Sequence, residues 1–341
     1  MGAGTIAFTS AHYRMWITQF LVATVFHWTS NLFWSFAVVE LFCAWLGVLG
    51  LSILGQQLGL SRRATVVGML AFIFSPILTS YMWRNQLHVA AIGSMAFGAG
   101  MACLGIKARR PWWERSVLLA GVWWTTSLFY QYHWAIAPLT LAAAHSGRSD
   151  RRERLFAWMG AAVGFGLLTV ALQAFAAMNG IPVGNEGNDP RYPLDGLVAR
   201  LRSPDLAAMT AQLVTRTKTF AQVFHPVVML LALVGVALGP PRARVCLTSL
   251  LVVAAGFLFM MDLDRVAHVA YPAVYLGVGS AVVTIPRLIA LAGQGLGVSP
   301  QREHTLTQIA LVGTLLLLLT AIAHTNSDLW RDYRYIWSLQ G

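Results

Sequence analysis

Acidic residues are scarce in this chain: 13 Asp and Glu stand among 341 residues, against 24 Lys and Arg. The first of them is Glu40, so residues 1–39 hold no carboxylate side chain. Charged residues of either sign make up 11% of the sequence, while 57% is hydrophobic and the mean hydropathy is +0.62. That balance excludes an ordinary soluble domain. Cysteine is also rare. Cys43, Cys103 and Cys246 each sit in an apolar run with no CxxC spacing, which argues against a disulfide framework or zinc site and for buried free thiols. Lysine is almost missing, two residues against 22 arginines, a bias better explained by a GC-rich genome than by function. No internal repeat suggests an inverted-repeat transporter. Residues 1–13 lack the basic start and continuous apolar stretch of a cleavable signal.

Long apolar stretches are abundant instead. Ten read as spans: 32–55, 64–82, 88–106, 116–130, 131–145, 155–178, 223–240, 245–262, 266–284 and 305–324. Most approach the roughly 20 residues needed to cross about 30 Å of hydrocarbon. The pair 116–130 and 131–145 is short and is interrupted by Tyr130, Gln131, Tyr132, His133 and Trp134. A single helix would bury that polar pentad in mid-bilayer, whereas a hairpin brings it to a surface.

Charge decides between the two. Arg62 and Arg63, then Lys107, Arg109, Arg110 and Arg115, then Arg148, Arg151, Arg152 and Arg154 fall in alternate gaps only if the hairpin is real. Arg242, Arg244, Arg287 and Arg302 continue the series. By the positive-inside rule these gaps are cytoplasmic, and the long segment 179–222 lies outside, where such loops are exempt from the rule. The net charge of +11 then reflects contact with anionic lipid and not with nucleic acid. The expectation is an all-α polytopic protein of an inner or plasma membrane. It is one transmembrane domain over 1–341 with about ten transmembrane helices. Residues 1–31 form an outer interfacial segment, and 179–222 an outer loop with an amphipathic helix.

This topology puts seven of the nine histidines outside. Histidines just inside a hydrocarbon boundary tend to mark a cavity, because an unpartnered polar group is costly there. Arg84, His88, His133, Arg265 and His268, with Tyr130 and Tyr132, are the expected substrate-binding residues at this rim. Guanidinium and imidazole donors suit a phosphate or pyrophosphate headgroup. Glu40, about 12 Å into the first span, should face the bundle, since a carboxylate facing lipid is expensive. Asp262 and Asp264 flank the outer end of a later span beside Arg265. A pair at i and i+2 offers oxygen ligands to a divalent cation or a base to an acceptor hydroxyl. Asp262, Asp264 and Glu40 are therefore the candidate catalytic carboxylates.

From Leu32 to Ala144 the order of features resembles the GT-C superfamily, polytopic glycosyltransferases that use polyprenyl-phosphate sugars. The match runs through Leu58, Gly59, Leu60, Ser61, Arg62 and Arg63, then Phe74, Ser75 and Pro76. It continues with the polar outer turn Trp83 to His88 and the paired short spans, and farther on with Arg265, His268, Tyr271 and Pro272. The resemblance implies a polyprenyl-phosphate-linked sugar as donor, membrane lipid as surroundings, and sugar transfer on the outer face. The chain departs from the superfamily in its start, which shows no early span with a long acidic outer loop, so the superfamily's acid maps onto no residue here. Two alternatives follow. One is a non-catalytic GT-C-like subunit working beside a membrane-protein partner. The other is a metal-independent polymerase or ligase of surface polysaccharide.

Overall fold

The computed structural model describes residues 16–75, 78, 88–129, 135–146, 150–178, 207, 210, 211, 213–215, 217, 224–260 and 263–338. Eleven helices and no strand occur among them: α1 (Trp16–Thr29), α2 (Leu32–Leu58), α3 (Arg62–Ile73), α4 (His88–Lys107), α5 (Trp112–Phe129), α6 (Ile136–His145), α7 (Arg151–Met178), α8 (Pro226–Leu238), α9 (Pro241–Met260), α10 (Leu263–Gly295) and α11 (Pro300–Ser338). The chain is all-α, and a helix occupies each of the ten apolar stretches. Among the described residues five helices are long and apolar enough to cross a membrane: Leu32–Leu58, Val89–Lys107, Arg151–Ala171, Val269–Gly295 and Pro300–Asn326.

Local chemistry sets the helix ends. Asn31 caps α2, its side chain accepting from the Trp34 N–H at 3.2 Å. Gly59 closes the helix at φ 78°, a left-handed conformation natural to glycine, and the Leu60 N–H reaches back to the Gly55 carbonyl at 2.9 Å. Two residues later Ser61 caps α3 by accepting from the Ala64 N–H at 3.2 Å. A stop and a start in three residues make the turn tight, so α3 folds back along α2.

Close contacts between helix backbones show which way each helix runs. A Cβ on Gly93 would fall 1.8 Å from the Cys43 carbonyl, and one on Gly50 would fall 2.3 Å from the Phe97 nitrogen. At the far end the Lys107 ammonium donates to the Gln57 carbonyl. α2 and α4 are therefore parallel and nearly in contact through small residues, as in membrane helix packing. α3 and α10 are antiparallel, Gly68 against Tyr275 and Gly279 against Ala64. α8 runs parallel to α10, with Gly235 on Gly277. α5 is antiparallel to α4 and parallel to α7, with Trp123 between Trp158 and Phe165.

These directions give the bundle a basic end and a histidine end. At the basic end Arg62, Arg63 and Arg287 wall one groove. Lys107, Arg154 and Arg242 lie within electrostatic range of one another. Buried Arg115 approaches Glu153 at 3.5 Å. At the opposite end His225 meets His324 with ring centroids 5.7 Å apart, and the Asn326 side-chain amide donates to the Phe74 carbonyl at 3.4 Å.

Three described helices are shorter than the expected spans: α3, with 12 residues, α6 and α8. α5 and α6 do form a hairpin: both Thr126 and Ile136 face Gly98, and α6 ends with His145 beside Arg151. α6 as described has ten residues, about 15 Å or half a crossing, and positions 131–134 of the expected span lie outside the described residues. α8 has 13 residues, about 20 Å. α1 packs back along α2, Ile17 and Leu21 lining the same groove as Phe42 and Leu46. The loop 179–200 lies outside the described residues, as do all but a few helical positions of 201–222.

Candidate functional site

At the histidine end the described helices start at different depths. α8 begins level with Tyr271, eight residues or about 12 Å into α10, because Ala232 and Gly235 meet Gly277 and Ala281 in register. α6 begins beside Gly98, ten residues or about 15 Å into α4. α11 continues some 18 Å past Asn326. Two helices thus begin part-way down the bundle, with longer helices extending beyond their first residues. Such helix starts carry the positive pole of the helix dipole, which favours an anion, although at α8 Pro226 brings no N–H and the Val227 N–H is taken by His225.

Four buried aromatic rings cluster around the start of α8. Tyr271 and Tyr275 lie on one face of α10, one helical turn apart, with centroids at 5.4 Å. Phe224 packs on Tyr271 at 5.1 Å, and Phe72 meets Tyr271 and Tyr275 edge-on at 6.2 and 5.9 Å. The Ser75 hydroxyl hydrogen-bonds Tyr275. Pro272 has no N–H to give the His268 carbonyl one turn earlier, which leaves a backbone acceptor on the histidine side of the cluster.

His225 stands at the rim of this cluster. It caps α8, its Nδ1 accepting from the Val227 N–H at 3.2 Å, and it holds φ at 60° with ψ at 134°. That is a strained backbone for a residue with a Cβ, tolerated only where the surroundings impose it.

No protein-family model, curated protein or solved structure matches this chain.

The expected site residues divide into three groups. Arg84, Tyr130, Tyr132, His133 and Asp262 lie outside the described residues. His88 starts α4, while Asp264, Arg265 and His268 fall in the first two turns of α10. Those are backbone positions, and the side chains lie outside the described residues. Only Glu40 is described in full. It is buried on α2, one turn from Cys43, and neither carboxylate oxygen has a hydrogen-bond partner among the described residues. Val39 and Cys43, its neighbours on α2, pack with Val22, Ala90 and Phe129 in an apolar cluster. Among the described residues no three His, Cys, Asp or Glu come together to hold a metal ion.

The aromatic cluster was absent from the expected site. Of its four rings the resemblance includes only Tyr271, beside Pro272, and the i, i+4 spacing of Tyr271 and Tyr275 is the further signal that the sequence holds. Phe72 and Phe224 join them only through tertiary packing.

Proposed function

We propose that this protein is a glycosyltransferase-like membrane protein. It spans an inner or plasma membrane about ten times, keeps its basic end in the cytoplasm, and binds a polyprenyl-phosphate-linked sugar at the extracytoplasmic end. The observation that carries this reading is the pair of short helices, α6 and α8, which begin part-way along the bundle at the end where His225 and His324 pair. A buried, phosphate-sized charge is favoured at such a place. The segments holding Arg84 and Tyr130–His133 connect helix ends at this same end of the bundle, and Arg265 and His268 follow the start of α10 there. In the proposal Arg84 and Arg265 grip the phosphate and the histidines donate to it. Transfer on the outer face then needs a base. Asp262, Asp264 and Glu40 are the candidates, with a divalent cation as the alternative activator.

The burial of Glu40 among apolar groups, away from any described donor, favours a second reading: a subunit that binds the lipid-linked sugar without performing chemistry.

Purified full-length protein in detergent, titrated with a polyprenyl monophosphate and with the matching polyprenol, tests the binding. The phosphate should raise the unfolding temperature well beyond the polyprenol. Arg84→Ala and Arg265→Ala should each weaken binding at least tenfold, whereas the control Arg109→Ala should leave it intact. Equal stabilisation by polyprenol, or wild-type binding by both variants, would sink the reading. Sugar release from a polyprenyl-phosphate hexose separates enzyme from subunit. Glu40→Gln should cut turnover and spare binding if Glu40 is the base. Turnover that survives a chelator would favour the metal-independent polymerase or ligase.

A further inference from the structure

At the basic end, α3, α10 and α11 enclose a groove of about 500 Å³. Its mouth carries Arg62 and Arg63 from the first turn of α3, Arg287 from α10 and Gln308 from α11; its walls include Val67, Val283 and Leu311. The groove is thus cationic at one end and hydrocarbon below. No carboxylate lines it, and no described carboxylate pairs with its arginines. Glu303, one turn from Thr307 at the groove's edge, already accepts from the Gln294 amide at 2.8 Å. Two cations in the first turn of α3 also stand at the positive pole of the helix, where no acidic residue offsets them.

We infer that this groove binds an anionic phospholipid of the adjacent leaflet, its phosphodiester held by Arg62, Arg63 and Arg287 and its glycerol and proximal acyl carbons lying against Val67, Val283 and Leu311. Three features select this occupant. The charge at the mouth is uncompensated. Arginine grips phosphate oxygens with paired N–H bonds. The walls run from polar to apolar in the same sense as a lipid. A soluble phosphate would leave the valine and leucine walls facing water, and a neutral lipid would leave three guanidinium groups without a counter-charge. Basic pockets between helix ends are a recurrent solution for headgroup recognition. The inference rests on the chain lying in a membrane and is independent of the donor reading at the other end.

The test uses full-length protein exchanged into detergent. It is titrated in parallel with phosphatidylglycerol, phosphatidylcholine of the same acyl chains, and inorganic phosphate, and is read by unfolding temperature and by native mass spectrometry. Phosphatidylglycerol should raise the unfolding temperature and be retained as a one-lipid adduct, with the other two having little effect. R62Q/R63Q/R287Q should weaken the phosphatidylglycerol response at least tenfold, and L311F, which fills the groove and leaves its charge, should do the same. R109Q, away from the groove, should retain the wild-type response. If the triple variant fails to fold, Arg63→Gln and Arg287→Gln are read singly by adduct retention. Equal effects of the two lipids, an effect reproduced by inorganic phosphate, or variants that keep the wild-type response would overturn the inference. So would stabilisation that tracks protein concentration without retained lipid, which would assign the groove to a second copy of the chain.

Discussion

His225 combines two opposed local terms. Its ring caps α8 by accepting from Val227, while its backbone occupies φ 60°, a region that side chains with a Cβ avoid. Loss of a capping acceptor costs about 1 kcal/mol, and strain of this kind about 1–3 kcal/mol. His225→Ala removes the cap and keeps the strain, so it should destabilise by about 1 kcal/mol. His225→Gly removes both, and glycine is itself an acceptable N-cap residue. The glycine variant should therefore be more stable than the alanine variant, by about 1–3 kcal/mol in denaturant unfolding. An alanine variant as stable as the glycine one would mean that no strain is stored at this position. Glu40 shows the other side of the residue scale. Its burial was legible from the sequence, because a lone carboxylate eight residues into an apolar helix has to face the bundle. Its lack of a partner among the described residues was not legible, since that depends on what α1, α4 and α5 place opposite it.

Among elements, the turn Gly59-Leu60-Ser61 was the most readable stretch, and the structure gives a physical reason for it: a left-handed glycine stop followed by a serine start. Any tight turn between two helices favours that pattern, so "GLSRR" reports a turn before it reports ancestry. The described start of α6 at Ile136 follows the polar pentad Tyr130 to Trp134, and Ile136 packs on Gly98, a contact that the sequence alone does not announce. Helix pairing was legible in its ingredients, small residues in apolar helices, but not in its pairs. Gly93 and Gly235 each leave no room for a Cβ, the nearest backbone oxygen being 1.8 Å from where it would sit. Gly93→Ala must push α4 from α2, and Gly235→Ala must push α8 from α10, at the 1–3 kcal/mol typical of overpacking or more. Gly166→Ala, with nothing near its Cβ position, should be neutral to stabilising by the helix propensity of alanine. Unfolding temperatures of the three variants in detergent check the ranking. A Gly93→Ala protein as stable as Gly166→Ala would show that α2 and α4 are not in backbone contact.

For the whole molecule, the α5–α6 hairpin sets the parity of everything downstream. If α5 and α6 turn back on each other, their net displacement across the membrane is zero, and α7 alone separates the basic gap at Arg110 from the segment containing Asn185. If they formed one continuous span, two crossings would intervene and the two positions would share a side. The three native cysteines are fully buried, so introduced thiols can be read without removing them. In intact cells a membrane-impermeant maleimide should modify Asn185→Cys and spare Arg110→Cys, and permeabilised cells should show both modified. Labelling of both in intact cells would break the hairpin parity. Labelling of Arg110→Cys alone would invert the bundle, placing the arginine end outside and Tyr271 and His225 toward the cytoplasm. The donor proposal depends on the orientation as well as the fold, because short loops rich in arginine are retained in the cytoplasm. The two ends would then carry opposite roles: anchoring to anionic lipid at the arginines, and recognition of a lipid-linked phosphate at the histidines.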